Sequence, residues 1–157
     1  GRVEGTKIAY VGDGNNVAHS LAIGCALTGA RLSIAHPEGH GPDGEVVRLS
    51  AELGEPPKLT QDPEEAVAGA QVVYTDVWAS MGQEAEAEER RKRFAPYQVD
   101  ERLMSLAADD AIFLHCLPAH RGEEVAASVI DGPRSRVFDQ AENRLHAQKA
   151  LLYLLLG

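Results

Sequence analysis

Short β-rich runs alternate with segments of helical period along the whole chain, and no tight turn joins one strand directly to the next. The runs are Lys7 to Val11, Leu32 to Ala35, Gln71 to Thr75 and Ala111 to Leu114. Strands separated by helix-length crossovers pair in parallel, and a parallel sheet buries both faces under helices. The expected fold is therefore α/β, a three-layer α/β/α sandwich on an open parallel sheet of about four to five strands, Rossmann-like in its winding. Val137 and Phe138 are the candidates for a short fifth strand.

Helix boundaries follow from capping chemistry. Val17, Leu21, Ala22, Cys25 and Ala26 recur at helical spacing, Gly29 stands at the expected end, and Cys25 reads as core. A second helix runs from about Asp43 to Leu53. Asp62-Pro63-Glu64-Glu65 has the acid, proline and first-turn carboxylates of a helix start, which predicts a short helix to Ala68 closed by Gly69. A charged helix is expected from Glu84 to Arg93, its Glu86/Arg90, Glu88/Lys92 and Glu89/Arg93 spacings suiting a solvated face. Another spans Asp100 to Ala107, and a last one Ala141 to Leu156. The end of that last helix is apolar nearly all round from Leu151 to Leu156, so it either covers its own sheet or needs a partner surface.

The 157 residues suit one domain, and 44% hydrophobic with 25% charged residues is ordinary globular composition. The net charge of −9 repels phosphate backbones, and the one basic cluster, Arg90 to Arg93, follows an acidic stretch, so nucleic acid is disfavoured as a partner. The apolar end of the last helix is far too short to span a bilayer, so no membrane association is expected. Two cysteines are too few for a disulfide scaffold and no charged-then-apolar leader precedes the first strand, which makes a reducing cytoplasm the expected compartment.

Three of the four main strands empty into polar groups: Asp13, Asn15 and Asn16 after the first, Asp76 after the third, and His115 with Cys116 after the fourth. Ligands of open parallel sheets bind outside the carboxyl ends of the strands, so this convergence marks a candidate site. Each residue alone is also a common turn former, cap or core group. The first loop, Gly12-Asp13-Gly14, lacks the third glycine of a dinucleotide fingerprint, with Val17 in its place. Carboxamides at a helix start suit a carboxylate ligand instead. An acid, Asp76, with the hydroxyl of Ser80 nearby can hold a zwitterionic amino acid. Trp78 reads as packing. Neither His115, Cys116 and His120 nor His36 and His40 has the spacing of a structural metal site, and no metal or cofactor is expected. No nucleophile elbow surrounds Cys116.

Four motifs in order, Gly12-Asp13-Gly14-Asn15-Asn16, Asp76-Val77-Trp78-Ala79-Ser80-Met81-Gly82, His115-Cys116-Leu117-Pro118 and Glu142-Asn143-Arg144-Leu145-His146, together resemble the ornithine carbamoyltransferase family. The resemblance covers residues 1–157 as the ornithine-binding domain alone. It implies transfer of a carbamoyl group from carbamoyl phosphate to the δ-amine of L-ornithine, giving citrulline and phosphate in arginine metabolism. By the same resemblance Asn16, Asp76, Ser80 and Met81 bind the amino-acid head, Cys116 faces the δ-amine, the Leu117 carbonyl holds the carbamoyl NH2, and Arg144 steadies the developing oxyanion. Cys116, Arg144 and Asp76 are thereby the catalytic candidates.

The family's phosphate-binding Ser-x-Arg-Thr-Arg motif is not in these residues, so the carbamoyl-phosphate-binding domain is expected to be absent and the isolated chain inactive. The family further implies that the parent is a homotrimer or higher. Competing readings are a putrescine or related carbamoyltransferase, a non-catalytic amino-acid sensor, and a nicotinamide-dependent dehydrogenase domain, the last weakened by Val17.

Overall fold

The computed structural model describes residues 3–78 and 87–157. Five parallel strands lie in the order β3-β2-β1-β4-β5: β1 Lys7–Val11, β2 Arg31–Ala35, β3 Lys58–Thr60, β4 Val72–Thr75 and β5 Ile112–His115. In register, Ile8 of β1 pairs with Leu32 of β2 and with Val72 of β4, and Val72 pairs in turn with Ile112 of β5. The helices are α1 Asn16–Thr28, α2 Gly44–Leu53, α3 Pro63–Val67, α4 Ala87–Phe94, α5 Glu101–Met104, α6 Ala127–Ile130 and α7 Val137–Leu156.

Alternation along β1 splits the core in two, as the pleat requires. Ala9 and Val11 face a larger cluster with Val73, Phe113, Leu103, Val125 and Ile130, covered by α3, α5 and α6. Tyr10 faces the other way, into a cluster with Ala18, Ala22, Cys25, Ile34 and Tyr74 under α1. Cys25 is core, as its helical spacing predicts, and burial pushes its thiol up to about 11. Chain-local signals set the helix ends. Asn15 caps α1 by accepting from the Val17 and Ala18 N–H groups, Gly29 closes it at φ 71°, and Asp62 caps α3 by accepting from Glu64 N–H.

The fifth strand is not the expected one. It is Lys58–Thr60, three residues on the outer edge of β2, too short and polar to show as an apolar run. Val137 and Phe138 instead open α7. The chain passes β5 in one bridge, Ser135 beside Phe113, with Phe113 N–H donating to the Arg134 carbonyl and Arg136 N–H to the Phe113 carbonyl, and then coils at once. The helix after Asp100 is also shorter than expected, ending at Met104.

The expected solvated face of the charged helix is only partly so. Lys92 and Arg93 do pair with Glu88 and Glu89 one turn back, at 3.1 and 3.0 Å. Arg90 turns inward, buried, with its guanidinium on Asp13 and donating to the Trp78 carbonyl at 2.6 Å. Glu84 to Glu86 lie outside the described residues. The last helix leaves its apolar end in solvent: Leu151 to Leu156 are 56–83% exposed, so it does not cover its own sheet. No helix among the described residues is long and apolar enough to cross a membrane.

Candidate functional site

Strand order reverses between β1 and β4, which opens a crevice at their carboxyl ends. The loops that leave β1, β4 and β5 meet there. Asp76, buried directly after β4, is the hub. Its Oδ1 accepts from the Cys116 thiol at 2.8 Å and from the Val77 N–H at 2.8 Å, and its Oδ2 accepts from Asn15 Nδ2 at 2.8 Å. Three donors hold the carboxylate in one orientation without any cation among them.

Asn15 is the residue whose role the sequence left undistinguished from that of its neighbour. Its Oδ1 faces the helix start, accepting from Val17 N–H at 2.9 Å and from Tyr10 Oη at 3.3 Å, so its NH2 must face Asp76. Asn16, the expected carboxylate ligand, is the exposed first residue of α1, and its side chain makes no hydrogen bond to another described residue. Capping chemistry announces an Asn at this helix start, but two adjacent asparagines give no sign of which caps and which points out.

Beside this network the protonated forms dominate. The Cys116 thiol is pushed up to about 12, first by burial and then by its hydrogen bond to the Asp76 carboxylate. It is a donor at neutral pH, not a thiolate. Burial also raises Tyr10, with Asp76 adding to it, and raises Tyr74 to about 12.

Arg144 is carried by α7, exposed on its surface. One turn earlier Gln140 fixes the helix to the sheet, accepting from the His115 N–H at 3.1 Å and donating to Tyr74 Oη at 2.7 Å. Residues four apart share a helix face, so Arg144 follows Gln140 toward the site, and its charge opposes the upward shift of Cys116. Leu117 sits at φ 57° before a cis Leu117–Pro118 bond. Ser80 and Met81 lie outside the described residues. The structure thus brings Asn15, Asp76, Cys116, Leu117 and α7 with Arg144 to one end of the sheet, and leaves Asn16 at its rim.

Of the groups set aside as metal ligands, His115, Cys116, His36 and His40 have partners of their own, whereas His120 is exposed and with Glu123 and Glu124 offers ligand atoms within 4.8 Å of one another. Asp76, His115 and Cys116 do offer ligand atoms within 4.8 Å of one another. The thiol is committed to Asp76, however, and His115 Nδ1 accepts the Leu117 N–H at 2.9 Å. His36 bonds the Pro37 carbonyl and His40 packs edge-on against Phe94. The first loop is likewise closed to a pyrophosphate. Gly14 N–H donates to the His40 carbonyl at 2.8 Å, and a Cβ on Gly14 would lie 2.2 Å from the Gly41–Pro42 backbone. Gly14 admits another stretch of this chain, not a ligand. Trp78 is buried as packing, its ring 6.0 Å from that of Phe94.

Comparison with known proteins gives the family. Residues 4–155 match the model for the aspartate/ornithine carbamoyltransferase Asp/Orn-binding domain. An ornithine carbamoyltransferase from Symbiobacterium thermophilum is 62% identical over all of this chain, which covers 52% of that protein. Among solved structures, the Pyrococcus furiosus ornithine carbamoyltransferase superposes with a TM-score of 0.90 at 59% identity, over 96% of this chain and 50% of the other. The Gloeobacter violaceus ornithine carbamoyltransferase gives 0.90 at 50% identity, over 99% and 53%. The chain spans about half the length of the curated relatives it matches. A switch-point crevice built on Asp76 and Cys116, within a sequence matched from end to end, leaves one assignment: the chain belongs to the aspartate/ornithine carbamoyltransferase family, of which it corresponds to the Asp/Orn-binding domain.

Proposed function

We propose that this chain is the amino-acid-binding half of an ornithine carbamoyltransferase, which moves a carbamoyl group from carbamoyl phosphate to the δ-amine of L-ornithine. The observation that carries the reading is Asp76, a buried carboxylate held by three neutral donors at the crevice and able to pair with an ammonium. Names of relatives support ornithine as the amino acid. Asn16, Ser80 and Met81 are proposed to complete the grip on the α-amino and α-carboxylate groups.

An alkylammonium becomes a nucleophile only after losing a proton, and near neutral pH that is unfavourable by a few pKa units. In the proposed reaction the neutral δ-amine attacks the carbonyl carbon of carbamoyl phosphate, forming a C–N bond and a tetrahedral oxyanion. The bond to the phosphate oxygen then breaks, phosphate leaves with that electron pair, and the new amide nitrogen gives up its extra proton. Cys116, held protonated against Asp76, lines the approach of the amine rather than attacking. Arg144, always charged, is suited to the oxyanion, and the Leu117 carbonyl to the carbamoyl NH2.

Carbamoyl phosphate is assigned to the other half of the parent, which is proposed to carry the phosphate-binding motif. The parent is proposed to be a cytoplasmic homotrimer or larger assembly. The biosynthetic direction is supported by a relative from Pyrococcus furiosus, 58% identical, that bears the name anabolic. Two assays test the reading. Calorimetry of the 157-residue chain should show weak binding of L-ornithine and weaker binding of putrescine, and the chain alone should yield no citrulline. The full-length protein containing it should yield citrulline. Citrulline from the purified chain, or none from the full-length protein, overturns the proposal.

A further inference from the structure

Glu124 is a second buried acid next to the site, and nothing in the carbamoyl-transfer reading uses it. It has no exposed surface, and neither has the side chain of His115 beside it. The segment is pinned from behind: Val99 N–H donates to the Glu124 carbonyl at 2.9 Å, and Ala126 N–H to the Val99 carbonyl at 3.0 Å. The carboxylate is thereby aimed at the loop after β5. Its Oε1 accepts the His120 N–H at 2.6 Å and lies 3.2 Å from His115 Nε2. Its Oε2 has no hydrogen-bond partner among the described residues and lies 3.8 Å from His120 Nδ1. Burying a carboxylate with one oxygen unsatisfied is costly, and a fold that only needed packing would have placed an apolar side chain there.

The opposite edge of His115 shows what the acid is for. Nδ1 accepts the Leu117 N–H at 2.9 Å, and a ring nitrogen that accepts carries no proton. The ring proton is therefore on Nε2, facing Glu124 Oε1, and the imidazole is a rigid link between the buried acid and the Leu117 peptide. That peptide needs a link. Leu117 adopts φ 57°, the left-handed region that residues with a Cβ enter only when their surroundings compel it. Leu117 also adjoins Cys116, whose thiol is fixed on Asp76. Any slip of the Leu117 backbone shifts the group that faces the crevice.

We propose that Glu124 is a positioning residue: through His115 it holds the Leu117 peptide in the left-handed turn that sets the Cys116–Leu117 backbone against the reacting carbamoyl group. The inference rests on the carbamoyl-transfer reading of the site. Glu124 and His115 touch no substrate in it. They act through the backbone, so their loss should cost turnover more than ornithine affinity, which Asp76 supplies.

The test uses Glu124→Gln, which keeps an acceptor oxygen and the side-chain shape, and Glu124→Ala, which keeps neither, both in the full-length protein. Glu124→Ala should lower kcat by roughly tenfold or more with KM for ornithine changed by less than about twofold, while Glu124→Gln should stay within about threefold of the parent. Equal loss in both variants, or a fall confined to thermal stability with kcat intact, overturns the proposal. Long-range nitrogen–proton NMR of the 157-residue chain supplies a readout independent of catalysis and of whether Glu124→Ala folds. His115 should be the Nε2–H tautomer in the parent and in Glu124→Gln, and an Nδ1–H tautomer in the parent overturns the clamp. Should the full-length parent make no citrulline, the functional reading fails, and the tautomer still decides whether Glu124 sets the Leu117 turn.

Discussion

The Cys116 thiol donates to Asp76 Oδ1 across 2.8 Å, so a sulfur that could be a nucleophile is held as a proton donor to the acid beside it. Burial and that acid together move the thiol to about 12. Asp76→Asn removes the charge and leaves burial to raise the thiol against the opposing Arg144 charge, so it should drop toward its ordinary 9.0. Iodoacetamide alkylation of Cys116 at about pH 9 should accelerate severalfold in Asp76→Asn. An unchanged rate would show that the carboxylate does not govern the thiol.

Stability should fail at the alkaline side first. Cys25, Cys116 and Tyr74 hold their protons to about 11, 12 and 12 in the folded chain, against ordinary values of 9.0, 9.0 and 10.0, and Tyr10 is raised as well. Folded pKa values above unfolded ones mean that the folded state binds protons more tightly, so stability is full below about pH 9 and declines through about pH 12. Urea midpoints should fall steadily over that window, and the fall should be shallower in Cys25→Ala. A flat profile would show that these groups are not buried as described.

How much of this was legible in the sequence depends on the reach of the signal. Asp62-Pro63 announced α3 and Gly29 the end of α1, because caps act within one turn. Lys58–Thr60 did not announce a strand, because an edge strand paired only to β2 needs no apolar run. Arg90 resembled its surface neighbours, since only the tertiary structure brings Asp13 and the Trp78 carbonyl to it. The same holds for Glu124: nothing in Gly122-Glu123-Glu124 says which acid turns inward, and the Val99 bridge decides it. The strand-end acid and thiol were legible as a convergence, whereas the bond by which Asn15 orients Asp76, and Gln140, which ties α7 to His115 and Tyr74, became visible only once the loops were in place.

Asn15 serves two structures at once, and substitutions can separate them. Asn15→Ser keeps an N-cap acceptor and loses the donor to Asp76, so α1 should lose no more than about 1 kcal/mol while ornithine binding weakens. Asn15→Asp also keeps the cap but sets a second carboxylate against Asp76, and should raise the pH needed for binding. Calorimetry at two pH values distinguishes them. Equal behaviour of the two variants would mean that Asn15 acts only as a cap.

Gly14→Ala should be among the most damaging single-methyl changes in the chain. The new Cβ would fall 2.2 Å from both the Gly41 carbon and the Pro42 nitrogen, which are backbone atoms that cannot rotate away. Overpacking of this kind costs about 1–3 kcal/mol or more, and the loop that carries His40 would be displaced. Chemical denaturation checks the magnitude. Wild-type stability in this variant would show that the two loops are not in contact.

α7 behaves as a beam clamped near one end. Gln140 ties it to β4 and β5, Arg144 rides one turn beyond, and the exposed apolar tip lies sixteen residues past the clamp, about 24 Å at 1.5 Å per residue. A tilt of about 5° about Gln140 would sweep the tip through roughly 2 Å and move the Arg144 backbone by only about 0.5 Å. The leverage runs against disturbance: the far leucines can swing widely while the Arg144 backbone barely moves.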